Sequence, residues 1–260
     1  MFCHHSAVYI SIYILILLTF CNAFPKEIKK CAFGDDKCMV DSINNIIKNY
    51  PKGIPEIGLK PIDLVDVPDL KLVSKNHENE FFYADINLTN QVNYGFENTT
   101  ITSVEGFTED PTSTNIIISG SIPSLVHKGL YMGDGRLWII KVNLTGESTS
   151  EFQKMDFTLK LKVSLQFRNN KRYLKIHELS PTVSLKRWIL WMDSLFPDNS
   201  DLTIRLNRLF NERWVEIWNE WEPMILDAFA EVFLNQVKDI FDRVPYDDMF
   251  LSNWSKTRNS

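Results

Sequence analysis

The stretch from Asp198 to Val244 constrains the fold more than any other part of this chain, because its apolar residues recur at helical spacing throughout. At about 100° per residue, one half of the helix collects large apolar side chains. These are Leu206, Phe210, Trp214, Ile217, Trp218, Trp221, Ile225, Phe229, Val232 and Phe233. The opposite half carries mainly charged side chains. An apolar half is wider than the roughly 100° stripe of a surface helix, so we expect a long amphipathic helix that other elements surround.

The ends of this predicted helix are marked by capping and breaking residues. Asn199, Ser200 or Asp201 can supply the N-cap oxygen, and Pro245 ends the pattern. Pro223 lies inside it, where it removes one backbone hydrogen bond and should kink the helix without ending it. The alternative is two shorter core helices that are broken at Pro223.

Length and charge limit the class of protein. With 260 residues, 44% of them hydrophobic, and no stretch that resembles a linker, we expect one domain over residues 24–250 and a monomer. The net charge of -5, without clustered lysines, argues against a nucleic-acid partner. The tail 251–260 is mostly polar, and we expect it to be disordered.

The first residues are typical of a secretory signal. Residues 8–20 form an apolar run that is short for a membrane span, and the small residue Ala23 follows it. We therefore predict a signal peptide over residues 1–23 and an extracellular protein. An uncleaved anchor is the alternative, since no Lys or Arg precedes the run. Because no second hydrophobic stretch follows, we expect no stable membrane insertion.

Secretion decides how the cysteines are interpreted. Only Cys31 and Cys38 remain after cleavage, and two thiols in an oxidising compartment favour a disulfide. A metal pair is the alternative, which the lack of a neighbouring His disfavours. We expect neither a metal nor another cofactor. Four sequons predict glycan attachment at Asn87, Asn98, Asn143 and Asn253.

The middle of the chain alternates with a period of two, which predicts β-strands. A short amphipathic helix precedes them, with Met39, Ile43, Ile46 and Ile47 at helical spacing. The predicted strands are 80–88, 115–132, 136–153, 155–168 and 171–179. Tight turns are expected at Gly133-Asp134-Gly135 and at Asn169-Asn170, which give antiparallel hairpins. Such long strands coil, and Pro123 indicates a bulge or an edge that adds curvature.

The order and spacing of several short segments resemble the takeout and juvenile-hormone-binding family of secreted insect proteins. The resemblance runs from about Lys30 to Phe250. The segments that carry it are the pair Cys31 and Cys38, Ile54-Pro55-Glu56-Ile57-Gly58-Leu59-Lys60-Pro61-Ile62-Asp63, Gly133-Asp134-Gly135, Leu195-Phe196, Leu206-Asn207, Phe210-Asn211-Glu212-Arg213-Trp214, Glu222-Pro223 and Val244-Pro245-Tyr246-Asp247. The mature chain lacks the second disulfide of the hormone-binding branch, so it is more similar to the takeout branch.

The resemblance implies an α+β fold of the TULIP-like type, with a short N-terminal helix. In that fold a long, highly curved antiparallel β-sheet wraps around one long C-terminal α-helix. It also implies a hydrophobic tunnel for an elongated apolar ligand such as a juvenile-hormone-like terpenoid or a fatty acid. Expression linked to the circadian clock is a further implication.

Bulky apolar side chains on the helix and the sheet are the candidates for the tunnel wall. They are Phe82, Ile86, Tyr94, Trp138, Ile140, Phe157, Leu161, Leu165, Trp214, Trp218, Trp221, Phe229 and Phe233. The alternative for all of them is an ordinary packed core. A polar end group of the ligand would need one partner, for which Tyr94, Tyr131 and Tyr173 are candidates.

Catalytic chemistry finds no support in the sequence, and we expect a protein that is not an enzyme. Nucleophile elbows, His-Glu-x-x-His motifs and phosphate-binding glycine loops are absent from the sequence. His77 lies in a polar loop, and we interpret His127 and His177 as surface residues on the outward register of strands. The other functional hypothesis is a secreted glycoprotein whose outer surface binds a receptor or another protein.

Overall fold

The computed structural model describes residues 25–74, 82–137 and 140–251. Its strands form one antiparallel sheet in the order β1-β3-β5-β6-β7, in which β2 also pairs with β3 and β4 with β5. The strands are β1 (Val65–Val67), β2 (Leu70–Val73), β3 (Phe82–Tyr94), β4 (Thr100–Glu105), β5 (Ile116–Leu137), β6 (Ile140–Arg168) and β7 (Lys171–Met192). The predicted antiparallel sheet of long strands is confirmed.

Within the described residues, three α-helices accompany the sheet. Helix α1 (Asp36–Asn49) is the predicted N-terminal helix, and α2 (Ser200–Glu212) and α3 (Trp214–Arg243) cover the predicted C-terminal helix. Asn199 is the N-cap of α2, because its side chain accepts a hydrogen bond from the Leu202 amide at 3.0 Å. At about 1.5 Å per residue, α3 is about 45 Å long. It is the long C-terminal helix that the resemblance implied.

The helical segment is interrupted at Arg213. The prediction of one uninterrupted helix was therefore wrong, as was the alternative of a break at Pro223, whereas the prediction that Pro223 does not end the helix is confirmed. Helix α3 continues through Pro223. The interruption follows from the attachment of α2 to the free edge of β7. The amides of Asn207 and Asn211 bond the backbone N–H and C=O of Met192 and Leu190 at 2.6–3.0 Å. Helix α2 must therefore follow the strand, whereas α3 lies on the inner face of the sheet.

The turn predicted at Gly133-Asp134-Gly135 is wrong. These residues lie inside β5, where Gly133 pairs with Leu144 of β6 and with Ile86 of β3. A Cβ atom on Gly133 would lie 2.0 Å from the Asp85 carbonyl oxygen, so glycine permits the close approach of two strands in a strongly coiled sheet. The turn at Asn169-Asn170 is confirmed, since both residues have positive φ and connect β6 to β7.

A crease crosses the sheet at Pro123, Lys154 and Lys186. Pro123 and Lys154 have no ladder partner, although β5, β6 and β7 keep their register on both sides of these positions. Before the crease the buried residues of β5 are even-numbered, such as Ile116 and Ile122, and after it they are odd-numbered, such as Leu125 and Tyr131. Lys154 has a φ of +50°. The predicted irregularity at Pro123 therefore exists, and it reverses which side chains face the helix.

The interior between the sheet and α3 is apolar. At its centre aromatic rings of the sheet contact those of the helix: Phe152 and Trp188 each pack edge-on against Trp218, at 6.1 and 5.9 Å between ring centroids. At one end the disulfide Cys31–Cys38 confirms the predicted pairing. The Leu251 amide bonds the Cys31 carbonyl at 3.0 Å, so the two ends of the described domain meet there.

Candidate ligand-binding cavity

A cavity of about 300 Å³ lies between α1, the inner face of the sheet and the C-terminal half of α3. This volume is at the lower end of the ~300–1,000 Å³ that is usual for ligand sites. Its wall is mostly apolar, with contributions from every element around it: Ile28, Met39, Ile43, Ile46, Ile47, Ile57, Leu59, Ile62, Val65, Phe96, Ile101, Phe107, Ile118, Phe157, Leu159, Val232, Phe233, Val237, Ile240, Phe241, Met249 and Phe250. We call it the main cavity.

Helix α1 is held over the main cavity by polar contacts outside the apolar wall. The Asp35 carboxylate accepts from the Cys38 amide at 3.1 Å and caps the helix. The Asn44 amide bonds both the N–H and the C=O of Ile101, on the edge strand β4, at 2.8 and 2.9 Å. These contacts and the disulfide fix the helix, so its apolar face is directed into the molecule.

The segment from Ile54 to Asp63 closes another side of the same cavity. Gly58 has a φ of +81°, and a Cβ atom there would lie 2.9 Å from the Asp239 carbonyl oxygen of α3. The Arg243 guanidinium donates to the Pro55 carbonyl at 3.0 Å. This tight packing against α3 explains why the turn needs glycine, and it places Ile57 and Leu59 in the cavity wall.

A second, smaller cavity of about 50 Å³ lies further towards the N-terminal end of α3. Its wall is apolar except for four residues, Asn93, His127, Ser148 and Ser150. Either ring nitrogen of His127 could carry the proton, and its Nδ1 lies 2.8 Å from the Asn93 Oδ1. Burial lowers the pKa of His127 to about 4. The imidazole is therefore neutral at physiological pH.

The position of His127 corrects the sequence analysis, which placed it on the outward register of its strand. The alternation of β5 reverses at Pro123, so residues beyond the crease face the opposite way from an uninterrupted strand. The exposed His177, by contrast, agrees with its predicted outward position; its Nε2 contacts the Ser164 hydroxyl at 2.6 Å.

Phenylalanine rings line the adjacent ends of the two cavities. Phe229 packs edge-on against Phe152 at 5.6 Å on the side of the small cavity. Phe233, about one turn later on α3, contacts Phe96 at 5.7 Å and Phe157 at 5.6 Å on the side of the main cavity. The two cavities therefore follow one another along α3.

The structure brings only some of the sequence-predicted wall residues to these cavities. Phe157 and Phe233 line the main cavity, and Ile86, Trp221 and Phe229 line the small one. The remaining described candidates lie outside both walls: Leu161, Leu165, Trp214, Trp218 and Tyr94. The side chains of Phe82, Trp138 and Ile140 lie outside the described part of the structure.

The predicted wall residues that line neither cavity lie in the packed core or near the surface. Trp218 and Leu161 are buried in the core, and Leu165 is partly buried against it. Trp214 lies under the Arg187 guanidinium, 5.8 Å from the ring centroid. Tyr94 is 43% exposed, near Lys128.

The two other tyrosines considered for a polar end group line neither cavity. The Tyr131 hydroxyl donates to the Asp193 carbonyl, and burial raises the pKa of that phenol. The Tyr173 ring lies 3.8 Å from the Arg168 guanidinium carbon.

Sequence reasoning missed most of the main cavity. Helix α1 was predicted from Met39, Ile43, Ile46 and Ile47, but its apolar face was not connected with a ligand. The last turns of α3, with Ile240 and Phe241, were missed as well. The available signal was the helical spacing of α1, which leaves its apolar face in need of a partner.

Other predicted features are only partly visible. Asn87 and Asn98 are exposed, whereas the side chain of Asn143 and all of Asn253 lie outside the described residues, as do the predicted signal peptide and residues 252–260 of the tail. Within residues 25–74, 82–137 and 140–251, His, Cys, Asp and Glu form no group of three that could hold a metal ion. Among the helices described, none is both long and apolar enough to span a membrane.

A curved antiparallel sheet that encloses a long helix and an apolar cavity defines a class of binding proteins for lipophilic molecules. The comparison with known sequences identifies the family within this class. The pattern of the haemolymph juvenile hormone binding protein (JHBP) family matches residues 10–251, and the chain belongs to that family. The predicted family is thereby confirmed.

Individual relatives agree with this assignment. The circadian clock-controlled protein daywake of Drosophila yakuba is 23% identical over 235 residues, which cover 88% of this chain and 89% of the relative. The protein of the same name from Drosophila melanogaster is 22% identical over 234 residues, with the same coverage. The crystal structure of Epiphyas postvittana Takeout 1 superimposes with a TM-score of 0.71 at 18% identity, over 83% of this chain and 96% of that one, which confirms the fold.

Proposed function

We propose that this protein is a secreted carrier that binds one small, elongated lipophilic molecule inside the domain. The observation that supports the proposal is the main cavity of about 300 Å³, whose wall combines apolar side chains from α1, the sheet and α3. Membership of a family named for hormone binding favours the same function. A terpenoid or a fatty acyl chain has the shape and polarity that such a wall accepts.

The energetics favour a ligand that is held by burial. Each methylene group that moves from water to an apolar wall contributes roughly 0.8 kcal/mol. A chain of about a dozen carbons therefore gains about 10 kcal/mol, from which the costs of association are subtracted, so each further methylene group should tighten binding markedly. The described wall of the main cavity includes one cationic residue, Lys29, and no carboxylate. Chain length and shape should therefore dominate affinity in this cavity.

The position of α1 bears on how such a ligand is retained. Its apolar face forms part of the wall, and removing the helix would open the cavity to water. Because the disulfide and the Asn44 amide bonds hold the helix in place, we propose that they keep the ligand enclosed during transport. The names of the two curated relatives add the proposal that expression follows the circadian clock.

Native mass spectrometry of the protein secreted from insect cells tests this function. We expect a mass increment from a bound molecule, which solvent extraction releases and identifies as a lipophilic compound. The delipidated protein should then take up one equivalent of tetradecan-1-ol. A folded protein that carries no lipophilic molecule and takes up none would contradict the proposal.

A further inference from the structure

A row of polar side chains crosses three neighbouring strands inside the otherwise apolar body. Asn93 of β3 pairs with His127 of β5, which pairs with Ser150 of β6, so the three residues lie directly opposite one another. All three line the small cavity. Asn93 is completely buried, and Ser150 is 6% exposed. Polar groups are costly in an apolar interior unless they find hydrogen-bond partners, so this row calls for an explanation.

The pair formed by His127 and Asn93 leaves one hydrogen-bond donor and one acceptor unused. The His127 Nδ1 is 2.8 Å from the Asn93 Oδ1, and the buried Asn93 Nδ2 has no partner among the described residues. With the amide in this orientation, Nδ1 donates, and the Nε2 lone pair of His127 is free to accept. If the amide is reversed, the two roles exchange, and the pair still offers one donor and one acceptor.

A third buried group points to the same place. The Trp188 side chain is 3% exposed and lines the small cavity, and its indole N–H has no partner within the described structure. Two side chains that line the small cavity, Asn93 and Trp188, therefore carry donors without partners among the described residues, and His127 beside them offers an acceptor. Its wall includes neither Lys nor Arg among the described residues. The cavity can satisfy an uncharged polar group, but it cannot neutralise a carboxylate.

We propose that the small cavity is the head-group site of the ligand and that it selects a hydroxyl group, so that the preferred ligand is a long-chain or terpenoid alcohol. This inference rests on the proposed carrier function. An alcohol oxygen accepts from one member of the His127–Asn93 pair and donates to the other, which no hydrocarbon, ether or carboxylate can do. The neutral imidazole, whose pKa burial lowers to about 4, is the form that this arrangement needs.

The small cavity and the main cavity lie in line along α3, at a spacing that one elongated ligand can bridge. Ile225 lines the small cavity and Val237 lines the main one, and twelve residues of helix separate them by about 18 Å. An alkyl chain anchored by its hydroxyl in the small cavity extends beside Phe229 and Phe233 into the main cavity. The two cavities then hold two parts of one molecule.

Competition between matched probes tests the proposal. Delipidated protein is loaded with the uncharged fluorophore N-phenyl-1-naphthylamine, and its displacement by tetradecan-1-ol, the methyl ether of that alcohol, and tetradecanoate is measured at pH 7.5. We expect the alcohol to bind about tenfold more tightly than either of the other probes, because neither of them can donate to one member of the His127–Asn93 pair while it accepts from the other. In His127→Phe this preference should disappear, while the affinity for the ether stays the same or rises.

The control is His177→Phe, which removes an exposed histidine from the outer face of the same sheet and should leave all three affinities unchanged. His127 is partly exposed, whereas Asn93 is completely buried, so replacing His127 should destabilise the fold less than replacing Asn93. A thermal melt verifies the fold of each variant. Equal binding of alcohol and ether by the wild type, or a preference that survives in folded His127→Phe, would overturn the head-group site and leave the carrier function intact. A wild-type protein that binds none of the probes would contradict the carrier function itself.

Discussion

Filling the main cavity from within should weaken ligand binding without unfolding the protein. Val237 of α3 lines this cavity and is partly buried, so a larger side chain there projects into space that the ligand would use. If the indole of Val237→Trp displaces about three methylene groups at ~0.8 kcal/mol each, binding loses about 2.4 kcal/mol, or about 60-fold in Kd. Titration with N-phenyl-1-naphthylamine, followed by displacement with tetradecan-1-ol, measures this loss.

The matched control is the same substitution near the N-terminal end of the same helix, at a position that lines neither cavity. Val215 is 49% exposed, and Val215→Trp should change neither the ligand affinity nor, beyond about 0.5 kcal/mol, the free energy of unfolding. Both variants should melt cooperatively, which separates a filled cavity from a damaged fold. Equal affinities of the two folded variants would show that the ligand does not occupy the space beside Val237.

Four further predictions concern stability. Trp218→Asp should cost several kcal/mol and abolish the secretion of folded protein, since the ring is 7% exposed and packs against Trp188; a normal yield would contradict this burial. Asn207→Ala should cost about 2 to 3 kcal/mol in denaturant titrations, because it leaves two buried backbone groups of β7 without partners. Cys31→Ser should cost about 2.5 kcal/mol, the chain-entropy value for so short a loop, and an unchanged melting temperature would show that the disulfide is dispensable. His127 has a folded-state pKa of about 4, below its unfolded value of ~6.5, so the unfolded state binds more protons as the pH falls. The free energy of unfolding should therefore decrease by about 1 to 2 kcal/mol from pH 7 to pH 5, and His127→Gln should reduce this decrease.

Local periodicity was enough to predict most elements of the fold. The apolar half of the C-terminal segment predicted a surrounded helix, and the strict alternation of residues 155–168 predicted a strand that the structure contains. The turn at Asn169-Asn170 was predictable because both residues tolerate positive φ. The helix, the strand and the turn are each determined by residues that are close together in the chain, so the sequence alone was enough to predict them.

Features that depend on several strands at once were not predictable in this way. Gly133-Asp134-Gly135 has the composition of a turn, yet it lies inside β5, pairs with β3 and β6, and permits a close approach to β3. The crease at Pro123 and Lys154 preserves the register of the strands while it reverses their alternation, so the inward position of His127 could not be derived from β5 alone. The interruption of the helix at Arg213 likewise depends on the amides of α2 that bond the edge of β7.

The cavities themselves arise from segments that are distant in the chain. The wall of the main cavity joins α1 to the last turns of α3, and no periodicity within either segment indicates that they face one another across empty space. The family resemblance implied an internal tunnel, but it did not specify these residues. The residues proposed for the wall therefore coincide only in part with those that line the two cavities.

A crystal structure of the delipidated protein soaked with tetradecan-1-ol is the decisive test of an internal ligand site. We expect continuous density for one alkyl chain between α1 and the C-terminal half of α3, with its hydroxyl within hydrogen-bond distance of His127 and Asn93. Density for the alcohol only on the outer surface, with side chains closing the space beside Val237, would contradict it.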